Sequence, residues 1–272
     1  MNIGTPADDP PGPSATQPPD DKRRIWLTGA SSGIGAALAE TLLRQGHHLV
    51  LTARRAAPLE ALAGRYPAQA MVMPGDLTDP GQVREIGKRI AALWGVLDCA
   101  ILNAGTCEYM DVREFEAAMV ERVMRSNLFS AAYCLEAALP LLRRATRPQL
   151  VAMASSASLF SLPRAEAYGS SKAALRYLFE SLRMDLAAED IAITVINPGF
   201  VDTPLTRNND FPMPMRWDVQ RAARHIADRL DNRPMEIAFP RLFIAGLRLL
   251  GCLPRSLQVA VGRRLSRNRA PA

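Results

Sequence analysis

The chain is expected to fold as an α/β domain: a doubly wound parallel sheet of about seven strands with helices on both faces. Three observations predict it. Short apolar runs alternate with longer helical patterns from Arg24 to Phe239. The runs are apolar on successive residues, as in Leu150-Val-Ala-Met-Ala154, which suits strands covered on both sides. A glycine-rich turn, Thr28-Gly-Ala-Ser-Ser-Gly-Ile-Gly35, joins the first run to the first helical pattern.

The elements follow in order. Arg24–Thr28 reads as a strand and Ile34–Gln45 as a helix. His48–Ala53 is a second strand, and Pro58–Arg65 a helix with proline near its first turn. Gln69–Met73 is a third strand, followed by a helix over Gly81–Leu93. Asp98–Leu102 is a fourth strand, and Phe115–Ala145 one long helical stretch. Gln149–Ala154 is a fifth strand, Ala165–Ala188 a long helix, Ile191–Ile196 a sixth strand, and Met235–Ala238 a weaker seventh. No internal repeat and no second domain is visible. Residues 1–21 are proline-rich and poor in apolar groups, so a disordered tail is expected there. Residues 22–239 form the domain, and 240–272 an apolar extension carrying arginines.

Composition narrows the function classes. The 272 residues are 48% hydrophobic and 22% charged, which suits one soluble α/β domain. The net charge is +6, and from Pro254 onward there are five arginines and no acid. This basic excess has no interleaved aromatics and no recognised module, so a nucleic-acid role is not expected. Cys99, Cys107, Cys134 and Cys252 lack metal-ligand spacing and close pairing, so free thiols in a reducing, cytoplasmic setting are expected. His47, His48 and His225 form no metal pattern. Leu242–Leu253 is interrupted by Arg248 and too short to span a bilayer, and no signal peptide is visible.

Two motifs carry chemistry. Tyr168-Gly-Ser-Ser-Lys172 sets one of only three lysines four residues after a tyrosine, a pairing expected by chance in about one chain in twenty of this composition. Residues i and i+4 share a helix face, where an ammonium can favour the ionised form of a phenol. Such a phenol would exchange protons near neutrality. The second motif is the glycine turn. Gly29 can take the tight turn, Gly33 lets backbone approach a pyrophosphate, and Gly35 allows close helix–strand packing. Ser31, Ser32 and the N–H groups opening the helix at Ile34 can bind phosphate oxygens. This is the phosphate-binding turn of a Rossmann-type sheet. The second strand ends Leu51-Thr-Ala-Arg-Arg55, without the carboxylate that would hold a ribose 2′-hydroxyl. Arg54 is placed to pair with a 2′-phosphate, so NADP (NADPH) is the expected cofactor.

With these motifs in place, the chain resembles the short-chain dehydrogenase/reductase (SDR) family, in its compact single-domain branch, from about Arg24 to Phe239. The glycine pattern Thr-Gly-x-x-x-Gly-x-Gly is that branch's form. Asp76-Leu77 resembles the family's adenine-contacting pair. Asn103-Ala104-Gly105 resembles its Asn-Asn-Ala-Gly motif, with Leu102 replacing the first asparagine. Asn127 matches the asparagine holding a relay water, with Ser130 where a glycine usually follows. Ser155, thirteen residues before Tyr168, matches the catalytic serine, although Ser156 stands next to it. Asn197-Pro-Gly-Phe-Val-Asp-Thr203 matches the segment along the nicotinamide, which implicates Pro198, Gly199, Val201 and Thr203.

The resemblance implies hydride transfer between NADP(H) and a carbonyl or alcohol carbon. Tyr168 would donate or remove the proton. Lys172 would lower the phenol's pKa and hold the nicotinamide ribose, Ser155 would orient the substrate oxygen, and Asn127 would position a water. Pro204–Trp217, with Phe211, Met213, Met215 and Trp217, is expected to cover the crevice and suits a lipophilic ketone or secondary alcohol. The alternative is a redox-sensing protein that binds the cofactor without turnover. The long helices resemble those that pair across the family's dimer interfaces, so a homodimer or homotetramer is expected. The extension 240–272 would suit peripheral contact with a membrane surface, a cover on the domain, or an oligomer interface.

Overall fold

In a computed structural model of the chain, residues 22–207 and 209–265 are described. The predicted disordered tail, 1–21, lies outside them. Seven strands form one parallel sheet: β1 (Arg24–Thr28), β2 (His48–Thr52), β3 (Ala70–Val72), β4 (Cys99–Leu102), β5 (Gln149–Met153), β6 (Ala192–Pro198) and β7 (Glu236–Phe239). Their order is β3-β2-β1-β4-β5-β6-β7. The sheet grows outward from β1 in both directions, so the chain reverses at the β1/β4 junction, where such folds place ligands.

Each face of the sheet has its own core. One holds α1 (Gly33–Arg44), α2 (Ala56–Ala63) and α7 (Val219–Leu230), with Leu38, Leu42 and Ile226 against the undersides of β1 and β2. The other holds α3 (Pro80–Trp94), α5 (Ser130–Leu142) and α6 (Glu166–Asp185), with Ile90, Leu135 and Phe179 on β4 and β5. Trp26 is fully buried on this second side, and its indole N–H donates to Thr52 Oγ1 at 3.0 Å. Helix boundaries have local causes. Asp79 caps α3 by accepting from the backbone N–H of Gly81 at 2.7 Å, Pro80 opens the helix, and Gly95 ends it with φ 66°. Asp218 caps α7 by accepting from the N–H of Arg221 at 2.8 Å.

Two differences from the sequence reading matter. The stretch read as one helix over Phe115–Ala145 is α4 (Ala117–Met124) and α5 joined by a π-helical turn, Arg125–Phe129. Helix α7 had no counterpart among the predicted elements. The extension folds as α8 (Arg241–Gly251) and α9 (Arg255–Leu265). No helix among the described residues is long and apolar enough to cross a membrane.

Candidate active site

The site lies at the carboxyl ends of β1, β4, β5 and β6. The turn after β1 is built from glycines for steric reasons. Gly29 and Gly33 have φ of 67° and 56°, a backbone region that penalises side chains. A Cβ on Gly35 would stand 2.2 Å from the Gly29 carbonyl oxygen. Asn103, after β4, ties this turn down: its amide donates to the carbonyls of Thr28 at 3.0 Å and Gly29 at 3.2 Å. Thr28 Oγ1 in turn accepts from the N–H groups of Asn103 and Ala104 at 3.0 and 3.1 Å. The amide of Asn103 therefore shapes the loop that would meet a pyrophosphate. Across the cleft, the methyl of Thr203 lies 3.4 Å from where a Cβ on Gly33 would be.

The surrounding residues fall into place with different degrees of engagement. Arg54 is exposed and makes no hydrogen bond or ion pair with the described residues, whereas Arg55 donates to the carbonyl of Ser31 at 3.5 Å. Asp76 accepts from the N–H and hydroxyl of Thr78 at 2.9 and 2.8 Å, and Leu77 turns into the core. Gly199 donates its N–H to Phe239 at 2.6 Å, which ties the segment Pro198–Thr203 to β7.

The four candidate catalytic residues converge. Asn127 is fully buried on the π-helical turn. Its oxygen accepts from the N–H of Thr106 at 2.7 Å, and its amide donates to the Thr106 carbonyl and to Ser171 Oγ, both at 2.9 Å. Lys172, one turn after Tyr168 on α6, is 4% exposed and donates to the Met153 carbonyl at the end of β5, at 2.8 Å. A side chain at Gly105 would approach Asn127 Oδ1 to 2.8 Å and Lys172 Nζ to 3.2 Å, so the two share one pocket closed by that glycine. Ser155, rather than Ser156, is the serine whose hydroxyl bears on the Tyr168 phenol. Ser155 Oγ also accepts from the N–H of Ala157 at 3.1 Å.

Electrostatics depart from the expectation for the tyrosine. Burial lifts the Tyr168 phenol above its ordinary value, the neighbouring Cys107 adds to this, and the Ser155 hydrogen bond offsets part of it. Lys172 Nζ lies 6.0 Å from the centroid of the Tyr168 ring. Burial instead lowers Lys172 itself to about 8. Spacing along a helix reveals that two groups are neighbours, but not how dry their surroundings are.

The sequence reading missed Cys107 and Tyr109, on the loop after Gly105. Burial pushes the Cys107 thiol up to about 11, and the nearby Tyr109 hydroxyl offsets part of this. Tyr109 meets Phe211 edge-on at 5.3 Å, and Phe211 meets Phe200 at 6.0 Å. Arg164 lies over the Tyr109 ring at 5.7 Å and pairs with Asp210 at 2.8 Å. Of the residues expected to cover the crevice, Phe211 joins this aromatic wall. Trp217 does not; it stacks on Phe239 at 4.8 Å, against the α7 core. The only signal for Cys107 and Tyr109 was their place just after a strand's carboxyl end.

Holding an ammonium depressed from 10.5 to about 8 costs the fold about 3 kcal/mol at neutral pH. Between about 8 and about 10.4 the unfolded chain binds the extra proton, so this cost fades as pH rises. Lys172→Met is therefore expected to match or exceed the parent's stability in urea unfolding at pH 7, with that advantage shrinking near pH 10. A variant several kcal/mol less stable at pH 7 would contradict the burial argument.

Known proteins resemble this chain over most of its length. The family model for short chain dehydrogenases matches residues 23–212. An uncharacterized oxidoreductase of Myxococcus xanthus is 32% identical over 246 residues, covering 89% of this chain and 97% of that protein. The 11-beta-hydroxysteroid dehydrogenase 1A of Arabidopsis thaliana is 34% identical over 69% of this chain, which spans 54% of that protein. A short-chain dehydrogenase structure from Streptomyces avermitilis superposes with a TM-score of 0.79 at 23% identity, covering 89% of this chain and 96% of that one. An alcohol dehydrogenase from Thermococcus sibiricus, complexed with 5-hydroxy-NADP, gives 0.72 at 25% identity, covering 80% and 96%. The chain belongs to the short-chain dehydrogenase/reductase family and is an oxidoreductase of that family.

Proposed function

We propose that this oxidoreductase transfers a hydride between NADP(H) and a lipophilic ketone or secondary alcohol. One observation carries the reading: Ser155 and Tyr168 share a crevice with the buried ammonium of Lys172 and the amide of Asn127. The cofactor's part would be the hydride and its carrier. The glycine turn supports its fit, since any side chain on Gly29 or Gly35 would collide with Asn103, Ala104 or the Gly29 carbonyl and break the tight turn. Exposed, unpaired Arg54 and the absence of a carboxylate ending β2 support the 2′-phosphate form. The structure from Thermococcus sibiricus, complexed with 5-hydroxy-NADP, lends the same preference.

The residues divide the proton chemistry. Tyr168, kept protonated by its surroundings, donates to the carbonyl oxygen as it gains charge. Ser155 hydrogen-bonds that oxygen and fixes its direction. Lys172 holds a positive charge in a dry pocket below about pH 8, which stabilises negative charge on the phenol once its proton is given up. Asn127 holds Thr106 and Ser171 in place beside it. The aromatic wall of Tyr109, Phe200 and Phe211 supports a lipophilic substrate. Exposed Tyr177 and Met184, two turns apart on α6, support a homo-oligomeric contact there.

Two measurements test this. Tyr168→Phe is expected to lower kcat for NADPH-dependent ketone reduction by at least about a hundredfold while NADPH affinity stays within about tenfold; near-normal turnover would refute the assignment. NADP is expected to bind more tightly than NAD, and Arg54→Asp to reduce NADP affinity at least about tenfold. Tighter NAD binding by the parent would end the claim.

A further inference from the structure

Helix α8 turns an apolar face outward. Ile244 and Leu247 are buried against the domain, yet Leu242 and Leu249 are 74% and 69% exposed. Two turns apart, these leucines share a face roughly opposite the buried pair. Arg241 and Arg248, also two turns apart, form a parallel row beside them. Helix α9 follows: none of its eleven residues is buried, and Leu257, Val259 and Leu265 are exposed among Arg255, Arg263 and Arg264. It is tied back through Gln258 Nε2, which donates to the carbonyls of Gly251 and Leu253 at 2.9 and 2.7 Å. So short a helix is marginal in water without a surface to lie on.

The flanks of α8 are cationic. A cavity of about 530 Å³ between α7, β7 and α8 is lined by His225, Arg229, Arg241 and Arg248. Its one acid, Glu236, is engaged by Arg248 and by the amide of Asn197. A second cavity of about 400 Å³ brings Arg216, Arg221 and Arg241 beside Leu242. From Pro240 to the C-terminus the sequence holds seven arginines and no acid.

We propose that α8 and α9 dock this protein on an anionic phospholipid bilayer. Leu242, Leu249 and the α9 side chains would enter the acyl boundary, and Arg216, Arg221, Arg241 and the α9 arginines would meet headgroup phosphates. Charge decides the occupant. A second copy across a two-fold axis sets these arginines against themselves, and an apolar partner leaves them desolvated and unpaired. Eleven-residue helices are too short to span, so the contact lies in the plane of the interface. Phe243, nearer the domain on α8, packs on Phe200 at 5.5 Å, so the docked face adjoins the aromatic wall of the crevice. The inference stands apart from the reaction assigned above and is tested without turnover.

Full-length protein is sedimented with vesicles of phosphatidylcholine, with or without phosphatidylglycerol. Binding is expected with the mixed vesicles only, weakening as salt is raised. Leu242→Asp with Leu249→Asp is expected to lower vesicle affinity at least about tenfold with an unchanged melting temperature. Arg241→Glu with Arg255→Glu, both at exposed positions, is a second reading expected to move the same way. No binding to mixed vesicles, equal binding to neutral ones, or undiminished binding by both double variants overturns the proposal. So does a parent that ignores vesicles but whose oligomer falls apart with the leucine changes, which assigns the face to a second copy.

Discussion

A lysine ammonium held out of water organises this site. Lys172 is 4% exposed, and its ammonium donates to the Met153 carbonyl at the tip of β5. Keeping it there requires the sheet to deliver that carbonyl, helix α6 to deliver the side chain, and Gly105 to leave room above. Charge in a dry pocket is costly to the fold and effective on a neighbour, because little solvent screens it. The same dryness raises the Tyr168 phenol. The pair thus rests in its protonated states near neutrality, the condition suited to giving a proton to a carbonyl oxygen.

Two devices hold this arrangement to the glycine turn. Thr28 and Asn103 exchange hydrogen bonds across the β1/β4 junction, so the reversal point of the sheet is also the clamp on the turn. The π-helical turn Arg125–Phe129 carries Asn127, whose three hydrogen bonds reach Thr106 on one side and α6 on the other. π turns inside α-helices recur at functional sites, and this one ties the loop after β4 to the helix bearing Tyr168 and Lys172.

Much of this was legible in the sequence. Apolar runs located all seven strands, with ends displaced by a residue or two because pairing partners, not composition, decide where a ladder stops. The glycine turn and the Tyr168/Lys172 spacing led to the right end of the sheet. Other features needed coordinates. A π turn uses the same residues as an α turn, so Phe115–Ala145 read as uninterrupted. Helix α7 buries mainly alanines (Ala222, Ala223, Ala227), too faint a stripe to stand out among its arginines, although Asp218 offered a cap signal. Ser155 and Ser156 differ only in which one packs against the phenol. Tyr109 lies in a loop whose path the sequence does not encode locally, and Trp217 was misplaced because its aromatic partners, Phe239 and His225, come from later in the chain. The direction of the Tyr168 shift was misjudged for want of burial, which spacing alone does not reveal.

The scarcity of lysine makes the central claim directly measurable. With only Lys22, Lys88 and Lys172 in the chain, 13C labelling of lysine side chains gives three resolvable Cε signals to follow through a pH titration. The Lys172 signal, assigned by its loss in Lys172→Met, should titrate near about 8. A Lys172 signal titrating near the ordinary ~10.4 would mean that its ammonium is solvated, and the account of this site would be wrong.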